Sequence, residues 1–214
     1  NGDGKLDVMI SDHGLWVDGK LPGKNDVYYL SNEGEGWRES SATHVTGETV
    51  QKGKGLATFS HSLTAGDIDG DGDIDAVVTS VKWVGRNQSQ NGEIFCYINQ
   101  GDGHMVVRKC GNQWGFEVEL GDIDNDGDLD IVFGSMAYSG GKFWDTLNQI
   151  PGCYSKTKCN GAFNGILLND GDGNFFERGF SFPDEVLLST GIPMYQIPNI
   201  SVADLDGDGD LDVV

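Results

Sequence analysis

Basic residues are scarce in this chain: 14 lysines and arginines face 34 aspartates and glutamates, a formal charge of −20 over 214 residues. No basic stripe with interleaved aromatics exists to track a phosphate backbone, which excludes nucleic acid as a partner. Long apolar runs are missing too. No stretch reaches the roughly 18 residues that a transmembrane helix needs, so no membrane span is expected in this segment. The opening Asn1-Gly2-Asp3-Gly4 has neither the basic nor the apolar region of a signal peptide, and any such segment is expected to have been removed or to lie upstream. Cysteines number only four, none in a Cys-x-x-Cys spacing or beside a histidine. That argues against zinc and leaves Cys96, Cys110, Cys153 and Cys159 as disulfide candidates. The four histidines, His13, His44, His61 and His104, sit in dissimilar settings, and no Gly-x-Ser-x-Gly nucleophile motif accompanies them. No catalytic residue is therefore assigned.

What is present is a folding composition, with 37% hydrophobic and 10% aromatic residues, and acids gathered into clusters. Clustered like charges need a counter-charge, and a cation is the natural one. The clusters repeat. Asp67-Ile68-Asp69-Gly70-Asp71-Gly72-Asp73-Ile74-Asp75 recurs as Asp122-Ile123-Asp124-Asn125-Asp126-Gly127-Asp128-Leu129-Asp130 and as Asp204-Leu205-Asp206-Gly207-Asp208-Gly209-Asp210-Leu211-Asp212. Asn1-Gly2-Asp3-Gly4-Lys5-Leu6-Asp7 fits the last seven positions of a fourth copy. A second landmark keeps the same phase: Tyr29 to Gly36, Tyr97 to Gly103 and Leu167 to Gly173, each with an asparagine followed by glycines. The landmark is read as a hairpin turn, its glycines supplying positive φ. The repeats divide the chain into approximate units 1–58, 59–113, 114–196 and a partial 197–214.

Each aspartate loop runs into a short apolar stretch, such as Val8-Met9-Ile10, Ala76-Val77-Val78 or Ile131-Val132-Phe133, which reads as a buried strand. With a strand before the loop (Ser62 to Gly66, Glu117 to Gly121) and one on either side of the landmark, every unit becomes a four-stranded antiparallel sheet. Repeated sheets with fixed turn chemistry predict an all-β fold of β-propeller type, each blade covered by its neighbours. Three units and a partial one stand at the edge of the four to eight blades that close a ring. The chain is accordingly expected to be an excerpt of a larger propeller or array.

Aspartates at positions 1, 3, 5 and 9, with a backbone carbonyl available at 7, provide the hard-oxygen shell that Ca²⁺ prefers, and the glycine at position 6 permits the sharp turn. Without metal, carboxylates about 4 Å apart repel by ~1 kcal/mol per pair in water. An EF-hand would need a bidentate acid at position 12, where Val78 and Phe133 stand. The loop is thus expected to hold calcium and lead directly into a strand. Asp102 and Asp172, in the landmark turns, have too few acidic neighbours to make further sites.

These loops, followed by Asp-Val-Val or Asp-Ile-Val and by Leu-Leu-Asn-Asp-Gly-Asp-Gly-Asn-Phe, resemble the FG-GAP/VCBS repeats of integrin α-subunit propellers and of many surface proteins. The resemblance covers nearly the whole chain. It implies Ca²⁺ between the first two strands of a blade, bound by Asp67, Asp69, Asp71, Asp73 through its carbonyl, and Asp75. The equivalents are Asp122, Asp124, Asp126, Asp128 and Asp130, then Asp204, Asp206, Asp208, Asp210 and Asp212, with Asn1, Asp3, Lys5 and Asp7 as an incomplete first site. The segment between Phe133 and Asn169 is longer than the family's usual hairpin. Its Cys153 and Cys159 are expected to close a small loop, and recognition is an expected role of such a decorated loop.

The function implied is that of a non-enzymatic, calcium-binding extracellular protein, secreted or on the cell surface. It would act in adhesion, in protein or glycan binding, or in assembly, with self-association favoured by an unpaired sheet face. Sequons at Asn87 and Asn199 are candidate glycosylation sites. Two alternatives stand beside this reading. A polysaccharide lyase would use Lys82 or Arg86 beside a metal. A lectin would stack sugars on Trp16, Trp37, Trp83, Trp114 or Trp144.

Overall fold

The computed structural model describes residues 1–11, 28–32, 34, 36–47, 59–83, 89–111, 113, 116–134, 153–155, 158–159, 165–177 and 199–214. Among them the fold is all-β apart from one helical turn, and the sheets follow one another in chain order. Strands β1 (Val8–Ile10), β2 (Tyr28–Asn32) and β3 (Trp37–Glu39) form a three-stranded antiparallel sheet. A helical turn, α1 (Ser41–His44), then leads into β4 (Val45–Gly47).

The second sheet is built from β5 (Phe59–Gly66), β6 (Asp75–Trp83), β7 (Ser89–Asn99) and β8 (Met105–Gly111) in antiparallel succession. The aspartate loop joins β5 to β6 and the landmark turn joins β7 to β8, as the repeat predicts. One feature departs from the expected four strands. β4 adds a fifth, pairing parallel with the outer strand β8, so residues 45–47 lie in the sheet of the following unit. Gly47 permits this approach: its φ is +121°, and a Cβ there would lie 2.2 Å from the Val107 carbonyl oxygen.

The third sheet contains β9 (Glu117–Gly121), β10 (Asp130–Gly134) and, beyond the long connection, β13 (Gly165–Asn169) and β14 (Phe175–Glu177). Within that connection β11 (Cys153–Ser155) and β12 (Lys158–Cys159) form a small hairpin that places Cys153 opposite Cys159. A final pair, β15 (Val202–Ala203) and β16 (Asp212–Val213), flanks the last aspartate loop.

Side-chain alternation explains how the sheets stack. Along β6, Ala76 and Val78 point to a cluster with Tyr29, Phe95, Tyr97 and Val107, against which Met9 of β1 packs. Val77 points the other way, into a cluster that joins Ile94 and Cys96 of its own sheet to Val118, Ile131, Phe133 and Leu167 of the third sheet. On β10 the pattern repeats, with Ile131 and Phe133 facing the second sheet and Val132 joining Ile166, Leu168 and Ile200 on the far side. Both faces of β6 and β10 are covered, which is why these strands read as continuous apolar runs. Each fully buried valine, isoleucine or phenylalanine stabilises by roughly 1.5–3 kcal/mol, so sheet-to-sheet contact is the main cohesive force. A disulfide between Cys96 and Cys110 ties β7 to β8 beside the second cluster.

Candidate metal centre

The aspartate loops are wound by their own carboxylates. At position 1, Asp67 accepts the Gly70 N–H on Oδ1 and the Gly72 N–H on Oδ2, both at 2.9 Å. Asp204 grips the equivalent Gly207 and Gly209, while Asp122 accepts from Asp126, one position further on, and from Gly127. At position 5, Asp3, Asp71, Asp126 and Asp208 each accept the N–H two residues on. Position 6 is glycine because φ lies at +92° in Gly72, +99° in Gly127 and +97° in Gly209; space is not the reason, since a Cβ there would touch nothing. Asn125, at position 4, adopts φ +60°, the left-handed region asparagine tolerates better than most residues.

This winding converges the acids. Asp67, Asp69 and Asp71 each offer a carboxylate oxygen within 4.8 Å of the others, and so do Asp122, Asp124 and Asp130, and Asp204, Asp206 and Asp212. Asp69 Oδ1 is buried and accepts no hydrogen bond. A buried lone pair without a donor is costly unless a cation takes its place. With hard oxygens from alternate positions, the donor set fits a calcium ion. Burial, joined by the nearby charges of Asp71 and Asp67, pushes the Asp69 carboxyl above its ordinary pKa.

Position 7 side chains turn away from the cage. The Asp73 and Asp128 carboxylates lie against Gly101 and Gly171 of the landmark turns, and Asp210 Oδ1 accepts from Asn125 Nδ2 at 2.5 Å. In the first copy Asp3 pairs with Lys5 Nζ at 3.4 Å and Asp7 Oδ2 lies 2.7 Å from the Asn1 amino group. No acidic trio forms there among the described residues.

The position 9 aspartate does something that sequence spacing does not reveal. Asp75 Oδ2 accepts the Ile68 N–H at 3.0 Å and Oδ1 accepts the Asn99 N–H at 2.7 Å, so one buried carboxylate clasps the loop entrance to the landmark turn. Asp130 repeats the clasp with Ile123 and Asn169, and Asp7 holds Asn32. Burial, reinforced by Asp69 and Asp71 and opposed by the two backbone hydrogen bonds, raises the Asp75 pKa to about 6. Burial raises Asp130 as well. The landmark asparagine is more than a turn residue. Asn99 Oδ1 accepts the N–H groups of Gly101 and Gly103, while Nδ2 donates to Ile74 O.

The FG-GAP-like repeat family matches residues 1–78 and 158–214. The chain belongs to that family. Its third loop, residues 122–130, falls outside the matched ranges yet has the same hydrogen-bonded geometry as the loop at 67–75. Integrin alpha-7 of Mus musculus is 33% identical over 114 residues, which is 49% of this chain and 10% of that protein. Integrin alpha-7 of Rattus norvegicus and of Homo sapiens are each 32% identical over the same shares. The match thus spans about a tenth of those relatives' length.

The other candidates of this FG-GAP-like chain are scattered. His44 and His104, dissimilar in sequence setting, stack with ring centroids 4.4 Å apart, and His104 pairs with Asp102 at 2.9 Å. His61 packs on Phe116. Trp37 is 61% exposed and donates from Nε1 to Leu6 O. Asn199 is exposed. Asn87, His13, Trp16, Arg86, Trp114 and Trp144 lie outside the described residues, as do the side chains of Lys82, Trp83, Cys153 and Cys159. No described helix is long and apolar enough to cross a membrane.

Proposed function

We propose that this FG-GAP-like segment is a non-enzymatic, extracellular calcium-binding module whose metal-ordered sheets present a surface for adhesion, for a protein or glycan ligand, or for association with another copy. The observation that supports it most is the recurrence of three carboxylate trios, each within 4.8 Å. Calcium would be held by Asp67, Asp69, Asp71, the carbonyl of Asp73, and Asp75. The equivalent residues would hold it in the loops at 122–130 and 204–212, and Asn1, Asp3, Lys5 and Asp7 would make a weaker site. The ion would neutralise the cage and fix the loop that begins β6 or β10. The Cys96–Cys110 disulfide suits an oxidising compartment, and the integrin alpha-7 likeness favours a surface location. Asn87 and Asn199 would carry glycans, and Cys153 would bridge to Cys159.

Isothermal titration of the metal-free protein with calcium tests the first half of this reading, with three or more sites expected. Binding of the loaded protein to immobilised matrix proteins and to a glycan array, with and without chelator, tests the second. Absence of calcium uptake in the millimolar range removes the reading. Turnover of a polysaccharide would replace it with the lyase alternative.

A further inference from the structure

The Ile68 peptide group is held from both sides. Its N–H donates to Asp75 Oδ2 at 3.0 Å within its own loop, and its carbonyl accepts from Asn169 Nδ2 at 2.8 Å across the boundary between sheets. The same Asn169 amide donates to Leu129 O at 3.0 Å, and the Asn169 backbone N–H donates to Asp130 Oδ1 at 2.9 Å. An unbroken relay therefore runs Asp75, Ile68, Asn169, Asp130. All four residues are at most 3% exposed, so water cannot replace a lost member.

We propose that Asn169 is a positioning residue that couples the loops at 67–75 and 122–130, so that calcium held in one strengthens calcium binding in the other. The inference rests on the calcium reading above. A filled loop fixes the orientation of its position 9 carboxylate and hence of the peptide bonded to it. Through Asn169 that order extends to the neighbouring loop, which then loses less conformational freedom on binding its own ion. The sign of the coupling separates this relay from direct electrostatics. An empty loop keeps its carboxylates and attracts the neighbour's ion, whereas a filled one is partly neutralised, so charge alone makes the second ion bind more weakly.

The experiment follows the backbone amide resonances of Gly72 and Gly127 while calcium is added, since each glycine reports its own loop. Emptying the loop at 67–75 with Asp71→Ala should raise the calcium midpoint read at Gly127 by about five-fold, and Asp126→Ala should do the same at Gly72, as reciprocal coupling requires. Asn169→Ala should abolish both shifts while both loops still fill. Asn169→Ser gives the same test with a smaller cavity. Sheet docking in these variants is kept by the apolar cluster around Ile131 and by Arg108, whose Nη2 donates to Gly173 O at 2.8 Å. Midpoints that move less than two-fold, that move downward, or that keep their shift in the Asn169 variants overturn the coupling. If neither glycine responds to calcium at all, the calcium reading falls, and the coupling with it.

Discussion

Asp75 Oδ1 receives the Asn99 N–H at 2.7 Å, and this bond joins the end of the aspartate loop to the start of the landmark turn 24 residues later. A carboxylate that accepts two buried backbone donors has a structural duty apart from any metal.

That double duty separates position 9 from position 3. Asp75→Ala leaves the Ile68 and Asn99 N–H groups buried and unpaired, and at roughly 1–3 kcal/mol for each the variant should lose about 2–6 kcal/mol even in chelator. Asp69→Ala removes a carboxylate oxygen that has no donor. It should leave the metal-free protein as stable or more stable, while weakening calcium binding at that loop at least ten-fold. Urea denaturation with and without calcium distinguishes the two.

The raised Asp75 carboxyl sets a pH dependence. A group that titrates near 6 when folded and near 3.8 when unfolded binds its proton more tightly in the folded state. Its stability contribution is complete below about 3.8 and is lost as the pH rises through 6. Metal-free protein should therefore gain stability from this group on acidification, and Asp130 acts in the same sense. Asp102 and Asp170, held below the ordinary range by hydrogen bonds from His104 and Asn174, act oppositely. Comparing melting of the wild type with Asp75→Asn between pH 4 and 7 in chelator isolates the contribution of this carboxyl. A gain on acidification that persists unchanged in Asp75→Asn would refute it.

Chelation should lower the melting temperature of the loaded protein. A site at a hundred times its dissociation constant adds ~2.7 kcal/mol, and extracellular modules often bind with constants of roughly 10⁻⁴–10⁻³ M. Differential scanning calorimetry over a calcium series should give a continuous rise through the millimolar range.

Gly47→Ala should unseat β4. A Cβ there would meet the Val107 carbonyl oxygen and nitrogen at 2.2 and 2.7 Å, both backbone atoms that cannot step aside. A loss of at least ~2 kcal/mol is expected from the left-handed φ together with the overlap. Amide exchange should quicken in residues 105–107, where β4 pairs.

Removing the Cys96–Cys110 bridge with paired alanines should cost about 3 kcal/mol, the value for a loop of roughly 15 residues, on top of the cavity left at fully buried Cys96. Denaturation of the oxidised and reduced wild type gives the bridge term alone.

Much of this was legible in the residues themselves. Aspartate at alternate positions, glycine at position 6 and an apolar run after position 9 are local facts: each follows from carboxylate chemistry, from backbone sterics or from the two-residue period of a strand. They placed the loops, the strands at 62–66 and 117–121, and the all-β class. The fifth strand escaped that reasoning because Val45-Thr46-Gly47 has no pattern of its own; its partner Met105-Val106-Val107 supplies the reason for it.

What only the tertiary structure decided is which groups meet across distance. Asp75 with Asn99, Asn169 with Ile68 and Cys96 with Cys110 are pairings made when sheets close on one another. A repeated sequence announces its turns through local energetics. Hydrogen bonds between repeats depend on which faces pack, and that is settled by the shared apolar clusters around Val77 and Ile131 once both sheets exist.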